Sequence, residues 1–249
     1  MHAADTLPGN GPRGRRVAAV GRCLLGLLLA CVPALALAST PPAPAPPVST
    51  LARFGDGPSS LPHQLQVPDD LPNGNYLVRC EMVVRASGST DNVACYPPPS
   101  GAPPRLVRAV AVAANAATYE PATVDGEAVP VFVLAMVMVR VTDGRAHVLA
   151  VQNHGQDAVR YGIDYMAPQR LDRFRWGPPD GNAPPAMMWM RFEIAADGAV
   201  TDSSVTPGRG TRQKDVEQVR RAMREMQFLP GRHRGEPVPM TYVEPAHRK

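Results

Sequence analysis

An internal repeat constrains the fold of this chain more than any other feature. The sequence Met190-Arg-Phe-Glu-Ile-Ala-Ala-Asp-Gly-Ala-Val follows the pattern of Cys80-Glu-Met-Val-Val-Arg-Ala-Ser-Gly-Ser-Thr, at an offset of 190 − 80 = 110. A second anchor repeats at an offset of 109, where Gly126-Glu-Ala-Val-Pro-Val matches Gly235-Glu-Pro-Val-Pro-Met. Two independent anchors with one residue of slippage predict a tandem of two small units.

Each copy opens with a pattern typical of two paired strands. In the first copy the strands run from Tyr76 to Arg85 and from Thr90 to Tyr96, around a turn at Ser87-Gly88. Side chains of a strand alternate between faces, so a two-residue turn places Cys95 opposite Cys80 and Val93 opposite Met82. Both cysteines are expected to face the core.

A helix is predicted after the strand pair in each copy, at roughly residues 105–118 in the first. Apolar residues recur there at spacings of three, four and three, which places them on one helical face. These residues are Val107, Val110, Ala114 and Ala117 in the first copy and Val216, Val219, Met223 and Met226 in the second. The sequence therefore predicts an α+β fold of two related units, each a small antiparallel sheet with one helix packed on a face.

The first copy continues into an additional hairpin. Val129 to Val141 is nearly unbroken apolar sequence rich in branched residues, which favours a buried strand. Thr142-Asp-Gly-Arg145 is a turn signal, and Ala146 to Gln152 is predicted to return beside the strand.

These motifs together resemble the C-terminal domain of the energy transducer TonB. The matching elements are the turn at Asp197-Gly198, the aromatic-x-Pro element at Phe228 to Pro230 and the strand opening Gly235-Glu-Pro-Val238. The resemblance covers roughly residues 74–141 and 184–249. It implies a non-enzymatic binding module that lends a strand edge to an extended peptide or to another envelope protein.

The resemblance also implies where binding takes place. In the TonB fold the final strand lies at an open edge, and here that strand contains Met240, Thr241, Tyr242 and Val243. Flanking prolines equally suit protection of an edge against indiscriminate pairing. The aromatic and arginine residues between Tyr161 and Trp176 are the other candidate binding surface, or else they anchor a long connector.

Residues 1–38 have the anatomy of a secretory signal peptide. Arginines precede an apolar run, and Ala36-Leu37-Ala38 predicts cleavage between Ala38 and Ser39. Lipidation at Cys31 and an uncleaved membrane anchor are the alternatives, and only these would tie the protein to a membrane. The predicted organisation continues with a proline-rich linker (39–72), the first unit with its hairpin (73–152), a connector (153–183) and the second unit (184–249).

Removal of the leader leaves Cys80 and Cys95 as the only cysteines. Opposed strand positions in an oxidising compartment predict a disulfide. Two buried free thiols packing as small hydrophobic groups are the alternative.

Charge argues against a nucleic-acid partner. Of the 26 basic and 22 acidic residues, the leader holds four and one, so the remainder carries 26 − 4 = 22 against 22 − 1 = 21, a net charge of +1. A basic surface is the electrostatic footprint of nucleic-acid binding, and this balance lacks it. We find no catalytic motif, cofactor fingerprint or metal-ligand spacing in the sequence.

Three classes of function remain open at this level. The first is a periplasmic, TonB-like protein that binds another envelope protein through a strand edge. The second is a membrane-anchored energy transducer acting on outer-membrane transporters. The third is an enzyme with an unrecognised site, and the sequence favours the first of the three.

Overall fold

The computed structural model of this chain describes residues 48–99, 101–171 and 188–246, all within one compact unit, Ala45–Lys249. Its helices are α1 (Leu61–Gln64), α2 (Pro104–Ala116), α3 (Ala158–Tyr161) and α4 (Gln213–Met223). Its strands are β1 (Ser49–Thr50), β2 (Arg53–Phe54), β3 (Gly74–Val84), β4 (Thr90–Tyr96), β5 (Tyr119–Glu120), β6 (Ala122–Val124), β7 (Glu127–Val129), β8 (Val131–Thr142), β9 (Arg145–Val151), β10 (Tyr165–Met166), β11 (Gln169–Leu171), β12 (Met188–Ile194), β13 (Val200–Pro207), β14 (Phe228–Leu229), β15 (Arg232–His233), β16 (Glu236–Pro237) and β17 (Met240–Ala246).

The fold is mixed α+β, with antiparallel pairing throughout the described strands. The larger sheet has the order β14-β11-β8-β3-β4, and β9 also pairs with β8. A second sheet has the order β13-β12-β17. The hairpin predicted from Thr142-Asp-Gly-Arg145 is confirmed, because β9 pairs with β8 from Thr142 opposite Arg145 to Met136 opposite Val151.

The first half (residues 74–142) and the second half (188–246) run through the same order of elements: two strands, a helix, short strands and a final strand. Their pairing follows the repeat in the sequence. Val84 lies opposite both Thr90 and Val131 in the first half. Ile194, which is equivalent to Val84 in the repeat, lies opposite both Val200 and Met240.

The turn that joins the first two strands differs from the prediction in its length. The N–H of Arg85 donates to the carbonyl of Ser89 at 2.8 Å, so the turn holds three residues rather than two. The register of β3 and β4 also shifts between Glu81 and Val83, so that Met82 has no single partner and faces both Asn92 and Val93. That β-bulge adds one residue to β4 and so restores the predicted pairing of Cys80 with Cys95.

A glycine is required at the equivalent place in both turns. Gly88 and Gly198 have φ of +81° and +87°, in the left-handed region. A Cβ atom at Gly88 would lie 2.2 Å from the carbonyl oxygen of Tyr119, and one at Gly198 would lie 2.4 Å from that of Phe228. Each turn therefore contacts the aromatic residue that follows the helix of its own half.

Two hydrophobic cores lie on opposite faces of β8. Val133, Ala135 and Val137 belong to the core that includes α2. Leu134, on the alternate face, belongs to the core built by the second half. The helix stripes predicted from the sequence are confirmed, with Val110 and Ala114 buried in the first core and Val216, Val219 and Met223 in the second.

The proline-rich stretch before the first half is more ordered than its composition suggests. Residues 48–72 fall within the predicted linker, yet they contribute β1, β2 and α1. Four of their side chains are buried in the first core: Leu51, Ala52, Leu61 and Leu71. The difference arises because these residues pair with β5 and β6, which come much later in the chain, after α2.

Candidate functional site

The predicted binding residues, Met240 to Val243, lie in β17, an edge strand. On one side β17 pairs with β12 along its whole length. On the other side no strand among the described residues pairs with it. The equivalent strand of the first half, β8, is instead paired on both sides, by β3 and by β9 with β11.

A side chain identifies which main-chain groups of β17 point away from the sheet. The N–H of Thr241 donates to Oδ2 of Asp157 at 2.8 Å, from outside the ladder. Hydrogen-bonding directions alternate along an antiparallel strand, so Val243 and Pro245 also direct their main-chain groups outward. The alternation extends across β12, where the carbonyl of Glu193 faces β13 and accepts a hydrogen bond from the Thr201 hydroxyl at 3.1 Å.

The prolines of this sheet occupy positions at which an N–H would not form a hydrogen bond between neighbouring strands. Pro239 and Pro245 occupy outward positions before and within β17, and Pro207 occupies an outward position at the end of β13. Proline lacks the amide donor and is tolerated in a strand only at such edge positions. The prolines therefore mark the two open edges of the sheet without breaking it.

The start of the β17 edge is covered by α3 and the residue before it. Asp157 takes the N–H of Thr241, and the hydroxyl of Tyr161 donates to the carbonyl of Pro239 at 2.7 Å. Burial raises the pKa of Asp157, and the hydrogen bond from Thr241 opposes that shift. The outward groups beyond this cover are the carbonyl of Thr241, both main-chain groups of Val243 and the carbonyl of Pro245.

Side chains of the four predicted residues divide between the two faces. Met240 and Tyr242 are 2% and 0% exposed and pack inside the protein. Thr241 and Val243 lie on the outer face, where the hydroxyl of Thr241 donates to Oε2 of Glu193 at 3.0 Å. A strand docking on this edge would therefore meet main chain and two small side chains.

A buried polar cluster behind β17 was not predicted from the sequence. Nε of Arg170 donates to both carboxylate oxygens of Glu244, at 3.0 and 3.2 Å, and the pair is almost fully buried. The hydroxyl of Tyr242 also donates to Glu244, and the guanidinium of Arg170 lies 4.8 Å from the ring centroid of Phe132. This ion pair joins β11 of the larger sheet to β17 of the second.

Glu81 lies in the same buried region. It accepts a hydrogen bond from the hydroxyl of Tyr96 and is 2% exposed. Burial raises the pKa of its carboxyl to about 8, and the nearby Glu244 carboxylate contributes in the same direction. The only sequence signal was a glutamate at a position of β3 flanked by apolar residues.

The predicted disulfide between Cys80 and Cys95 is present, with Cα atoms 4.1 Å apart, so the free-thiol alternative is wrong. Nε2 of His154 lies 3.0 Å from the carbonyl oxygen of Cys80. Burial lowers the pKa of His154 to about 4, so this histidine is a neutral structural residue.

Other predicted features lie outside the described residues. These are the leader with its cleavage site at Ala38 and Ser39, Cys31, and the part of the connector that contains Arg173, Phe174, Arg175 and Trp176. In the part of the chain that the structure covers, no helix has the length and apolarity needed to span a membrane. The same ranges contain no cluster of three or more histidine, cysteine or acidic side chains that could hold a metal ion.

Comparisons of this chain with known proteins identify no relative. No protein-family model matches the chain. Searches of the curated proteins and of the solved structures find no significant match to it.

Proposed function

We propose that this chain is a non-enzymatic, periplasmic, TonB-like protein that binds another envelope protein through a strand edge. The observation that carries the proposal is the outer edge of β17, where the main-chain groups of Val243 point away from the sheet beyond the cover made by Asp157 and Tyr161. An extended segment of a partner would pair there by main-chain hydrogen bonds.

We further propose that the two halves are tandem TonB-like units. Support comes from the pairing registers, which agree at the repeat offsets of the sequence, and from the equivalent contacts of Gly88 and Gly198 with a following aromatic residue. The resemblance in the turn, aromatic-x-Pro and Gly-x-Pro-Val motifs supports the same assignment. The hairpin formed by β9 is the addition that distinguishes the first unit.

Export to the periplasm is proposed from the leader. The Cys80–Cys95 disulfide suits that compartment, because disulfides persist in oxidising environments. Intact-mass measurement of protein from the cell envelope tests this directly, and a chain beginning at Ser39 is expected. A species that retains Met1 and sediments with the inner membrane would instead favour the anchored transducer.

The transducer alternative is weakened by the position of β1, the first strand among the described residues. Ser49 is already paired with Val124, so only residues 39–47 separate the end of the leader from the folded unit. Nine residues span at most about 30 Å when fully extended, at roughly 3.3 to 3.6 Å each. A retained leader would hold the folded unit close to the membrane rather than let it reach across a periplasm.

Matched proline substitutions test the strand-edge proposal. Val243→Pro removes one outward N–H of β17, and Val205→Pro removes one outward N–H of β13 on the opposite edge of the same sheet. Neither change affects the hydrogen bonds to β12, so both variants are expected to fold. Circular dichroism and thermal unfolding serve as the folding check.

Binding is measured by photo-crosslinking in an envelope extract, with a photoreactive residue at Thr241 and mass spectrometry of the products. We expect Val243→Pro to reduce a specific crosslinked product at least tenfold and Val205→Pro to leave it unchanged. Loss in Val205→Pro alone would move the docking site to β13. A product that survives both substitutions would refute strand-edge binding.

A further inference from the structure

Each half of the molecule has an extended segment lying along the short strands that follow its helix. In the first half this segment is Ser49–Phe54, the N-terminal strap, which pairs with residues 119–124 through β1 and β2. In the second half it is Tyr165–Leu171, the connector strap, which pairs with residues 228–233 through β10 and β11. Both straps run antiparallel to the residues they cover.

Two buried glutamines hold the N-terminal strap by its main chain alone. Gln169 forms a two-way pair with Ala52, accepting from its N–H at 2.8 Å and donating to its carbonyl at 2.7 Å. Gln152 donates to the same carbonyl at 2.8 Å and accepts from the N–H of Phe54 at 3.2 Å. The two side-chain amides thus act as a neighbouring strand would.

We use the name strap groove for residues 119–124 together with Gln152 and Gln169. Gln169 is 2% exposed and Gln152 is 7% exposed, and their hydrogen bonds to the strap satisfy both amides. A buried amide without partners is costly, so the groove is complete only when an extended segment fills it.

The groove selects for size at one position. Ala52 is 0% exposed and packs in the first core, and the preceding Leu51 is 5% exposed. Thr50 and Arg53 make contacts at the rim, with Thr123 and Glu120 respectively. The ring of Phe54 packs on that of Tyr119, with the ring centroids 5.6 Å apart. Recognition therefore requires an extended backbone with an apolar residue followed by a small one.

The strap is also accessible from outside. One side of it borders an open cleft of about 650 Å³, whose lining includes Leu51, Phe54, Glu120, Gln152, Met166 and Arg232. The strap is followed by an exposed turn at residues 56–59. The connector strap lies between β9 and β12 in the order of the chain.

We propose that the strap groove is a second peptide-binding site and that the N-terminal strap is its resident occupant. The ligand class is an extended peptide segment with an apolar residue followed by alanine, glycine or serine, which replaces the strap by strand exchange. This site is separate from the β17 edge, so neither proposal depends on the other.

A fluorescent peptide with the sequence of residues 47–56 serves as the probe, and the full mature chain is the receptor. Ala52→Pro in the receptor removes the N–H that Gln169 accepts and so weakens the resident strap without altering the groove. We expect this variant to bind the probe at least tenfold more tightly than the unaltered chain in fluorescence anisotropy. Asp56→Ala, in the exposed turn, is the control and should bind like the unaltered chain.

Two further changes test the recognition rule. Adding Gln169→Leu to the Ala52→Pro receptor should abolish the gain, because the two-way amide pair is lost. A probe carrying Ala52→Phe should not bind the Ala52→Pro receptor, because the position has no room for a ring. Equal binding by the Ala52→Pro and unaltered receptors, or tolerance of either further change, would overturn the proposal.

A second experiment covers the case in which Ala52→Pro fails to fold. A protease site inserted between Gly57 and Pro58 allows the strap to be cut after folding, so that it stays bound only by noncovalent contacts. We expect the probe to replace the cut strap, with the released segment recovered by gel filtration and identified by mass. A cut strap that the probe never replaces would also overturn the proposal.

Discussion

One pair of equivalent positions in the two halves holds ionisable side chains in opposite surroundings, one buried and the other exposed. Glu81 and Arg191 are matching positions of the repeat and occupy the same place on β3 and β12. Glu81 is buried, because the second half packs on that face of the first sheet, whereas Arg191 is exposed and pairs with Glu193 at the surface. The repeat specifies the sheet, and the stacking of one half on the other decides which face becomes interior.

The final strands show the same contrast at their edges. The outer side of β8 is closed by β9 and β11, and most of its side chains are buried. Among the described residues, the outer side of β17 is covered only at its start, by Asp157, Arg160 and Tyr161. The added hairpin thus makes β8 a structural strand, whereas β17, which has no such partner among the described residues, is a candidate docking strand.

The largest expected effect comes from breaking the buried ion pair between the halves. Arg170→Met removes the partner of Glu244, whose side chain is 4% exposed, and leaves a buried carboxylate without its counter-charge. Such a change costs about 3 to 5 kcal/mol. The matched control, Arg191→Met, breaks an exposed pair and should cost less than about 1 kcal/mol. Urea unfolding measures both, and similar costs would contradict the contrast between the two faces.

The disulfide gives the next largest effect. Its equivalent in the second half is the paired position Met190 and Val205, which is apolar and not crosslinked. The bridge spans 15 residues, so its reduction should destabilise the chain by about 3 kcal/mol. Urea unfolding with and without reductant measures this.

The double substitution Cys80→Met with Cys95→Val transfers the second-half pair into the first half. It should show the lower stability of the reduced protein and no further response to reductant. Thiol titration of the denatured, unreduced chain that begins at Ser39 should find no free thiol. Two free thiols would show that the cysteines are only core residues.

The turn glycines test whether the two halves are built alike. Gly88→Ala and Gly198→Ala should each cost at least about 2 kcal/mol, because the new Cβ meets a main-chain carbonyl at a positive φ. Gly126→Ala and Gly235→Ala are controls at positive φ with open space around the Cβ, and about 1 kcal/mol is expected. Thermal unfolding compares the four, and unequal costs within a repeat pair would weaken the equivalence.

The pH dependence of stability is expected to be the most gradual effect. The pKa of Glu81 is raised from 4.5 to about 8, so the folded state holds a proton that the unfolded state loses, and stability falls as pH rises between these values. The pKa of His154 is lowered from 6.5 to about 4, which makes stability rise with pH in that window.

These two contributions to stability oppose each other between pH 4.5 and 6.5, which are the ordinary pKa values of glutamate and histidine. Above pH 6.5 the contribution of His154 no longer changes, and only that of Glu81 does. Stability should then fall between pH 6.5 and about 8, by at most about 1.4 kcal/mol per pH unit. Glu81→Gln should remove this fall and leave the rise below pH 6.5. Urea midpoints across the pH series decide it, and a fall that persists in Glu81→Gln would have another origin.

The features that could be predicted from the sequence are those with a repeat or a period. The strands, helix faces, added hairpin and Cys80–Cys95 pair follow from alternation and from the two matching copies. The length of the turn between β3 and β4 could not be predicted. A three-residue turn with a one-residue bulge in β4 places Cys80 opposite Cys95, just as a two-residue turn without a bulge does. The straps were missed because two-residue strands have no period and their partners lie far along the chain.

The candidate site could be predicted only in part. The resemblance to the TonB fold and the flanking prolines favoured an edge at β17, but nothing near Asp157 indicated that it caps Thr241. The buried positions of Arg170 and Glu244 depend on packing between the two halves. A pattern that describes one half at a time carries no information about that packing.

The N-terminal strap has a consequence for the order in which the chain is assembled. Ala52 is synthesised early, but Gln169, which binds its main chain, follows 117 residues later. Until Gln169 has followed it, the strap lacks a complete groove to enter, whereas β3 and β4 can already pair with each other. The segment that comes first in the chain is therefore among the last to dock.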